Sequence, residues 1–297
     1  MTLDPTKATN TKELHDLLLG AVAPRPIALA STVDREGNVN LSPFSFFNVV
    51  STRPPIMVFS PNRRVRDNTT KHTLENILET YEVVINTVSY AMVEQISLAS
   101  SEYDKGVNEF LKSGLTEVKS DLVRPPRVKE SPVSFECRVL EVKSMGTEGG
   151  AGNLVICEVV LVHAQDFIFD AQGKIDPRKV DSVARMGGDN YCRVIGESIF
   201  QLPKPGIPVG IGIDLLPADI RNSTVLTGNN LGRLANINKM PSPEEVKIFS
   251  ENFNYDILSQ GNGDDRIVTI HKHAQDFLAR GETKKAWLLL LSANKRT

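Results

Sequence analysis

The sequence predicts a mainly β protein with helices: a closed antiparallel barrel with a few helices over its openings, then a partly helical C-terminal extension. Three observations lead there. Between about residues 24 and 169, short apolar runs of strand length dominate and do not alternate regularly with helical patterns, which disfavours a doubly wound parallel sheet. Two pairs of these runs are joined by turn clusters, DREGN and GTEGGAGN, as hairpins are. After about Phe200 the composition changes, first to prolines, then to asparagines, and finally to a three-to-four apolar spacing.

The elements follow in order. PIALASTV (Pro26–Val33) and VNLSPFSF (Val39–Phe46) make the first hairpin, and PIMVFS (Pro55–Ser60) and EVVINTV (Glu82–Val88) are β-branched strands. Thr73 reads as an N-cap ahead of LENIL, where Leu74, Ile77 and Leu78 share a face. Met92, Val93, Ile96 and Ala99 mark a second helix, and Asp104–Leu115 a third. In SPVSFECRV strict alternation puts Val133, Phe135, Cys137 and Val139 on one face. The apolar phase then moves to Leu140 and Val142, which marks a bulge or a change of side. LVICEVVLVH (Leu154–His163) completes the second hairpin. Pro203, Pro205, Pro208 and Pro217 break regular structure at the start of the extension. Ile267, Ile270, Ala274, Phe277 and Leu278 then mark a helix, and Gly281 separates it from a last one through Leu290. No internal repeat is visible.

Composition narrows the function. The chain has 297 residues, 40% hydrophobic and 24% charged, enough to bury a large core and too apolar for wholesale disorder. Lys+Arg 34 against Asp+Glu 36 leaves net charge −2, so no global basic field exists to hold nucleic acid. Cys137, Cys157 and Cys192 are far apart with no CxxC, which argues against a disulfide framework or a thiolate zinc site and for a reducing compartment. MTLDPTKATNTKEL lacks an apolar signal region and the longest apolar run, Trp287–Leu291, cannot span a bilayer, so a cytoplasmic protein with no membrane partner is expected. There is no HExxH, GxSxG or Walker A loop. His271 and His273 are two apart on a helix, so their rings point to different sides and no metal is expected there. GTEGGAG is followed by a strand and not by a helix, which excludes a dinucleotide loop.

The stretch RPIALASTVDREGNVNLSPFSFFNVVSTRPPIMVFS (Arg25–Ser60) resembles the flavin reductase-like family, the FMN-binding split-barrel proteins. KHTLENI, YEVVINTV, SEYDKGVNEF, SPVSFECRV, CEVVLVH and ARMGGDNYCR follow in the family's order and spacing. The resemblance covers residues 15–200, which makes 201–297 an extension packed on the barrel, without a counterpart in shorter members. It implies an antiparallel Greek-key split β-barrel, a homodimer, and FMN held near the subunit interface. It further implies NADH or NADPH as co-substrate and reduction of flavin, a ferric complex or another small electron acceptor; the alternative is an FMN-binding electron carrier with little NAD(P)H turnover. Flavins carry their own redox chemistry, so the lack of a catalytic motif is expected.

Residues are carried over on the same terms. Lys71 and Thr73, at a helix start, together with Arg63 and Arg64, are expected to take the phosphate. Ser42, Pro43, Phe44 and Ser45 are expected along the flavin ring, flanked by Ser31, Thr32 and Asn40, while Phe47 is read as core. Arg25, between two prolines, either neutralises phosphate or reduced-ring charge or pairs with an acid. Lys105, His163 and Tyr191 match positions around the flavin and stand as catalytic candidates. For Lys105 the competing reading is a solvated lysine, and for His163 a core histidine satisfied by backbone. Gly187 and Gly188 before Tyr191 permit close backbone approach.

Overall fold

Turn chemistry sets the first hairpin. Strands β1 (Ala28–Val33) and β2 (Val39–Phe44) pair antiparallel from Ala28↔Phe44 to Val33↔Val39. Between them the Asp34 carboxylate accepts the amides of Glu36 (3.0 Å) and Asn38 (2.8 Å), and Gly37 takes φ 92°. The computed structural model describes residues 2, 4, 11–202, 204–207, 209–252 and 264–293. Pro203, Pro208 and most of the first ten residues, on which two of the expectations above fall, lie outside them. The chain divides into two units, Met1–Phe200 and Gln201–Thr297.

In the first unit, β3 (Phe47–Thr52), β4 (Pro55–Phe59), β5 (Glu82–Asn86), β8 (Val133–Ser144) and β9 (Asn153–Ala164) join the hairpin in one antiparallel sheet, ordered β2-β1-β5-β8-β9-β4-β3. Small strand pairs stand outside it: β6 (Glu117–Val118) with β7 (Arg127–Val128), and β10 (Val183–Arg185) with β11 (Tyr191–Arg193). The sheet curls around a core of Ala28, Ala30, Phe44, Met57, Phe59, Val83, Ile85, Cys137, Val139, Val155 and Cys157, with Ile77 of a helix among them. Phe44 on one edge strand and Phe59 near the other stand 5.5 Å apart, ring to ring. Side chains rather than ladder bonds therefore close it. This is the split barrel that the sequence predicts. The expected irregularity in β8 is present as two register shifts, at Glu136/Cys137 and Val139/Glu141.

Helices α1 (Thr11–Ala21), α2 (His72–Thr80), α3 (Val93–Ala99), α4 (Glu109–Ser113) and α5 (Pro177–Val180) complete this unit. A second apolar layer, including Leu29, Leu41, Met92, Ile96, Phe110 and Val183, joins α3 and α4 to the outer face of β1 and β2. Three expectations are corrected. The first hairpin's second strand ends at Phe44, and Phe47 opens a separate edge strand, where it packs against the core from a half-buried position. The third helix is only Glu109–Ser113, because Gly106 and the Asn108 cap precede it and Gly114 (φ 67°) ends it. Lys71, not Thr73, is the residue capping α2, and its side chain makes no cap bond.

The second unit is helical: α6 (Ala218–Arg221), α7 (Gly228–Ala235), α8 (Pro243–Asn252), α9 (Asp264–Ala279) and α10 (Thr283–Ala293). Leu216, Ile220, Leu234, Ile270, Ala274, Leu278, Trp287 and Leu290 form its core, and Trp287 donates its indole N–H to Leu234 O at 3.0 Å. Gly281, at φ 77°, ends the α9 turn as expected, whereas Ile267 is 46% exposed and off the core face. His271 is buried, with Nδ1 2.7 Å from Ser223 Oγ. That oxygen already accepts the amides of Val225 and Leu226, so its hydrogen goes to a neutral imidazole. Burial holds the His271 pKa below the usual 6.5, outweighing the opposing field of Asp219. A folded pKa below the unfolded one means stability that is present above pH 6.5 and lost as pH falls below it. Urea unfolding between about pH 7.5 and 5 should show a steeper loss for the wild type than for His271→Asn, which keeps an acceptor without a titrating ring. Parallel pH slopes would remove His271 as the cause.

Candidate functional site

The seam of the barrel opens into a cavity of about 480 Å³, within the range of cofactor-sized sites. One wall is the β2 end and its exit, Ser42 through Phe46. Facing it is the loop after β4, with Ser60, Asn62, Arg63, Arg64 and Arg66, and then Lys71 at the start of α2. His15 and Leu19 of α1, Glu102, Gly150 and Arg185 of β10 complete the lining. Among the charged side chains that line it, five are Arg or Lys and Glu102 is the one acid.

Close backbone packing shapes the arginine loop. Arg63 N donates to Ala151 O at 2.9 Å, Gly150 N to Arg63 O at 3.1 Å, and the Asn62 side chain to Gly150 O at 3.2 Å. A Cβ on Gly149 would stand 3.0 Å from Val65 O and 3.1 Å from Arg64 O. The glycine-rich turn is thus a hairpin turn, as expected, and also the buttress of this loop. Within the loop Arg63 bonds Asn68, Arg64 donates to Thr69 Oγ1 at 2.8 Å and to Thr70 O, and Arg66 pairs with Glu102 at 2.7 Å. Arg64 Nε lies 3.3 Å from the other Glu102 oxygen. Lys71 has no hydrogen-bond or ion-pair partner among the described residues. Burial first, then Arg64, pull its pKa below the usual lysine value. An anion beside Arg64 and Lys71 would relieve both effects.

Of the residues singled out from sequence, Ser42, Pro43, Phe44, Ser45, Arg63, Arg64 and Lys71 converge on this cavity. The others do not line it. Thr73, Asn40 and Thr32 are buried polar groups between α2 and the first hairpin: Asn40 Nδ2 donates to Thr73 Oγ1 at 2.9 Å and Asn76 Nδ2 to Thr32 Oγ1 at 3.2 Å, whereas Ser31, on the opposite face of β1, is buried with no partner for Oγ among the described residues. Thr73 Oγ1 accepts from Asn40, lies inside the helix rather than at its cap, and does not line the cavity. Arg25 is buried and, among the described residues, meets no acid, nor does it line the cavity. Its Nη1 donates to Leu19 O and Val22 O at 2.5 Å, Nη2 to Met186 O at 2.8 Å, and Nε to Ser45 Oγ at 3.4 Å. It clamps the C-terminal end of α1, and hence Leu19, against the barrel.

The three catalytic candidates also lie apart. Lys105 is exposed, with Nζ 3.9 Å from Glu75 Oε2. Tyr191 lies beneath the Arg185 guanidinium, 4.5 Å from ring centroid to Cζ. His163 sits near the end of the β8–β9 hairpin away from Gly150, with Nε2 2.6 Å from Glu136 Oε1. Burial would raise the pKa of Glu136, but the amides of Asp121 and Leu122 and the His163 ring outweigh it and hold the carboxylate below its usual range. His163 is therefore satisfied by a buried carboxylate instead of by backbone. Sequence reasoning missed Arg66, Glu102, Arg185, His15 and the Ser60–Asn62 turn. Arg185 stood within a quoted motif, but nothing local to the chain says that residue 185 meets residue 25.

The first unit is thus a split barrel whose seam opens into a cationic cavity edged by aromatic and hydroxyl groups. The chain belongs to the flavin reductase like domain family, whose model matches residues 20–174, which makes it a flavin-linked oxidoreductase domain. An uncharacterized protein of Aquifex aeolicus is 38% identical over 64% of this chain and 95% of its own length. Component B of a Bacillus cereus nitrilotriacetate monooxygenase superposes with TM-score 0.63 at 28% identity, covering 68% of this chain and 98% of that one. A protein with a split barrel domain from Shewanella frigidimarina superposes at 0.58 with 30% identity, over 69% of this chain and 99% of its own. Among the described residues no helix is long and apolar enough to cross a membrane.

The buttress gives a stability test. Gly149→Ala must push back the backbone of Arg64 and Val65, and should lower urea stability by about 1–3 kcal/mol. Unchanged stability would mean that the turn and the arginine loop do not pack as described.

Proposed function

We propose that the cavity binds FMN and that the protein is an NAD(P)H-dependent oxidoreductase reducing flavin, a ferric complex or another small acceptor. The carrying observation is the half-buried Lys71, without a partner and beside Arg64, on the wall opposite Ser42–Phe46. The donor set fits the cofactor. Lys71 and Arg64 suit a phosphate, the Ser42 and Ser45 hydroxyls suit ring carbonyls, and Phe44 and Phe46 offer apolar edges to a ring. FMN, when bound, supplies the hydride and electron transfer. This chain's residues then bind, orient and exclude water: Arg25 fixes α1 and Ser45, and Gly149 fixes the arginines.

The reading includes a homodimer. β3 is an edge strand exposing Val49 (56%) and Val50 (58%), an unprotected apolar edge that a second copy would cover. Light scattering should give twice the chain mass, and a monomer that binds FMN fully would contradict it. A cytoplasmic location accords with three free cysteines and with a need for NAD(P)H.

The purified protein should be yellow or become so with FMN, and anaerobic NADH or NADPH should bleach the flavin band. A colourless protein whose melting temperature ignores excess FMN would refute the proposal. Lys71→Ala should weaken FMN by about ten- to hundredfold and leave riboflavin, which lacks the phosphate, nearly untouched. Equal losses for both ligands would place Lys71 on the ring or the fold.

A further inference from the structure

Arg185 is the cavity's second, unclaimed cation. Its backbone and that of Arg25 form an isolated antiparallel bridge, each amide donating to the other's carbonyl at 2.9 Å. Residues so paired project their side chains to the same side, and like charges directly opposite are destabilising. The strain shows in Arg25, whose pKa is pulled down by burial and then by Arg185. No carboxylate lies within ion-pair distance of either guanidinium among the described residues. The arginine loop, by contrast, shares Glu102.

The two arginines are not equivalent. Arg25 spends four donors on three carbonyls and Ser45, which gives each of its nitrogens a partner but leaves its charge uncompensated. Arg185 gives one bond, Nη2 to Gly188 O at 2.8 Å, and rests its flat face on Tyr191. Nε and Nη1 of Arg185 have no protein partner among the described residues, and the residue lines the cavity. It is also held in place, because Arg25 grips Met186 O and the Met186 amide donates to Asn190 O at 2.9 Å. Ser45 lines the same cavity and accepts from Arg25 Nε, which leaves its own hydroxyl hydrogen free to donate.

We infer that Arg185 and Ser45 form an anchoring subsite for a carboxylate-bearing small-molecule substrate, with Arg25 as the charge behind it. This rests on the cavity being the flavin site and names the class of molecule that shares it. A carboxylate would take two parallel bonds from one edge of the Arg185 fork, the second hydrogen of Nη2 together with Nε or Nη1, and neutralise the cross-strand pair. Arg185 is then a positioning residue for the substrate.

Benzoate and its neutral isostere benzamide test the subsite. They are titrated into the FMN-loaded protein, followed by flavin absorbance and calorimetry. Benzoate should bind about tenfold tighter than benzamide, and Arg185→Gln should abolish that preference. Arg185→Lys keeps charge but loses the fork, and should weaken benzoate by about threefold or more; this variant decides the matter if Arg185→Gln fails to fold. Equal binding of the two probes by the wild type, or a preference that survives Arg185→Gln, overturns the subsite. So does a variant that loses FMN affinity but keeps the preference for benzoate, since Arg185 would then serve the cofactor. If the protein takes up no FMN, the flavin reading fails by itself. Calorimetry without cofactor then still reads the subsite through the Arg185-dependent benzoate preference.

Discussion

The two edges of the sheet are neighbours in sequence. β2 and β3 stand at opposite ends of the strand order, yet only Ser45 and Phe46 lie between them. Three residue steps reach about 10 Å at most, so the sheet must curl until its ends almost meet. The meeting is not a ladder. It is sealed by Phe44 against Phe59, while the bond from Ser60 N to Phe46 O at 2.9 Å only extends the β3–β4 ladder by one pair. The cavity lies along this seam, because the segment joining the edges, Ser42–Phe46, is also its wall. Closure and binding site are therefore one feature of the chain path.

The seam also gathers charge. Arg63, Arg64, Arg66, Lys71 and Arg185 reach it from three separate elements against one lining acid. A net charge of −2 conceals this, since composition averages over the whole surface. Arg25 and Lys71 mark the two ways a buried cation is tolerated. Arg25 is sated by carbonyls and stiffens the wall. Lys71 is left without a partner, at a cost in desolvation that an anion would offset.

What could be read from sequence is what depends on neighbours along the chain. Alternation in SPVSFECRV and the phase change after Val139 gave the faces and irregularity of β8, and Asp34 with Gly37 gave the first turn. Ser42–Ser45 and Lys71 were legible through the family resemblance. What failed depends on contacts across the fold. Thr73 looks like a cap until Asn40, thirty-three residues earlier, claims its hydroxyl. His163 looks free until Glu136 meets its ring across the β8–β9 ladder. Arg25 reads as a partner for phosphate, for reduced-ring charge or for an acid until the carbonyls of Leu19, Val22 and Met186 surround it. In each case a polar group plausible for a ligand is consumed by a partner that no local pattern reveals.

The same accounting separates scaffold from site. Polar groups with partners inside the protein, such as Thr73, Asn40, Arg25 and the His163–Glu136 pair, hold strands, helices and loops at fixed distances. Lys71 and the unpartnered donors of Arg185, which are left incomplete, both border the cavity at the seam. Unsatisfied cations are expensive in a folded chain and persist where a ligand completes them. Their convergence on a space of about 480 Å³, from elements the chain path brings together only by closing the barrel, is the physical reason to read this cavity as the working part of the molecule.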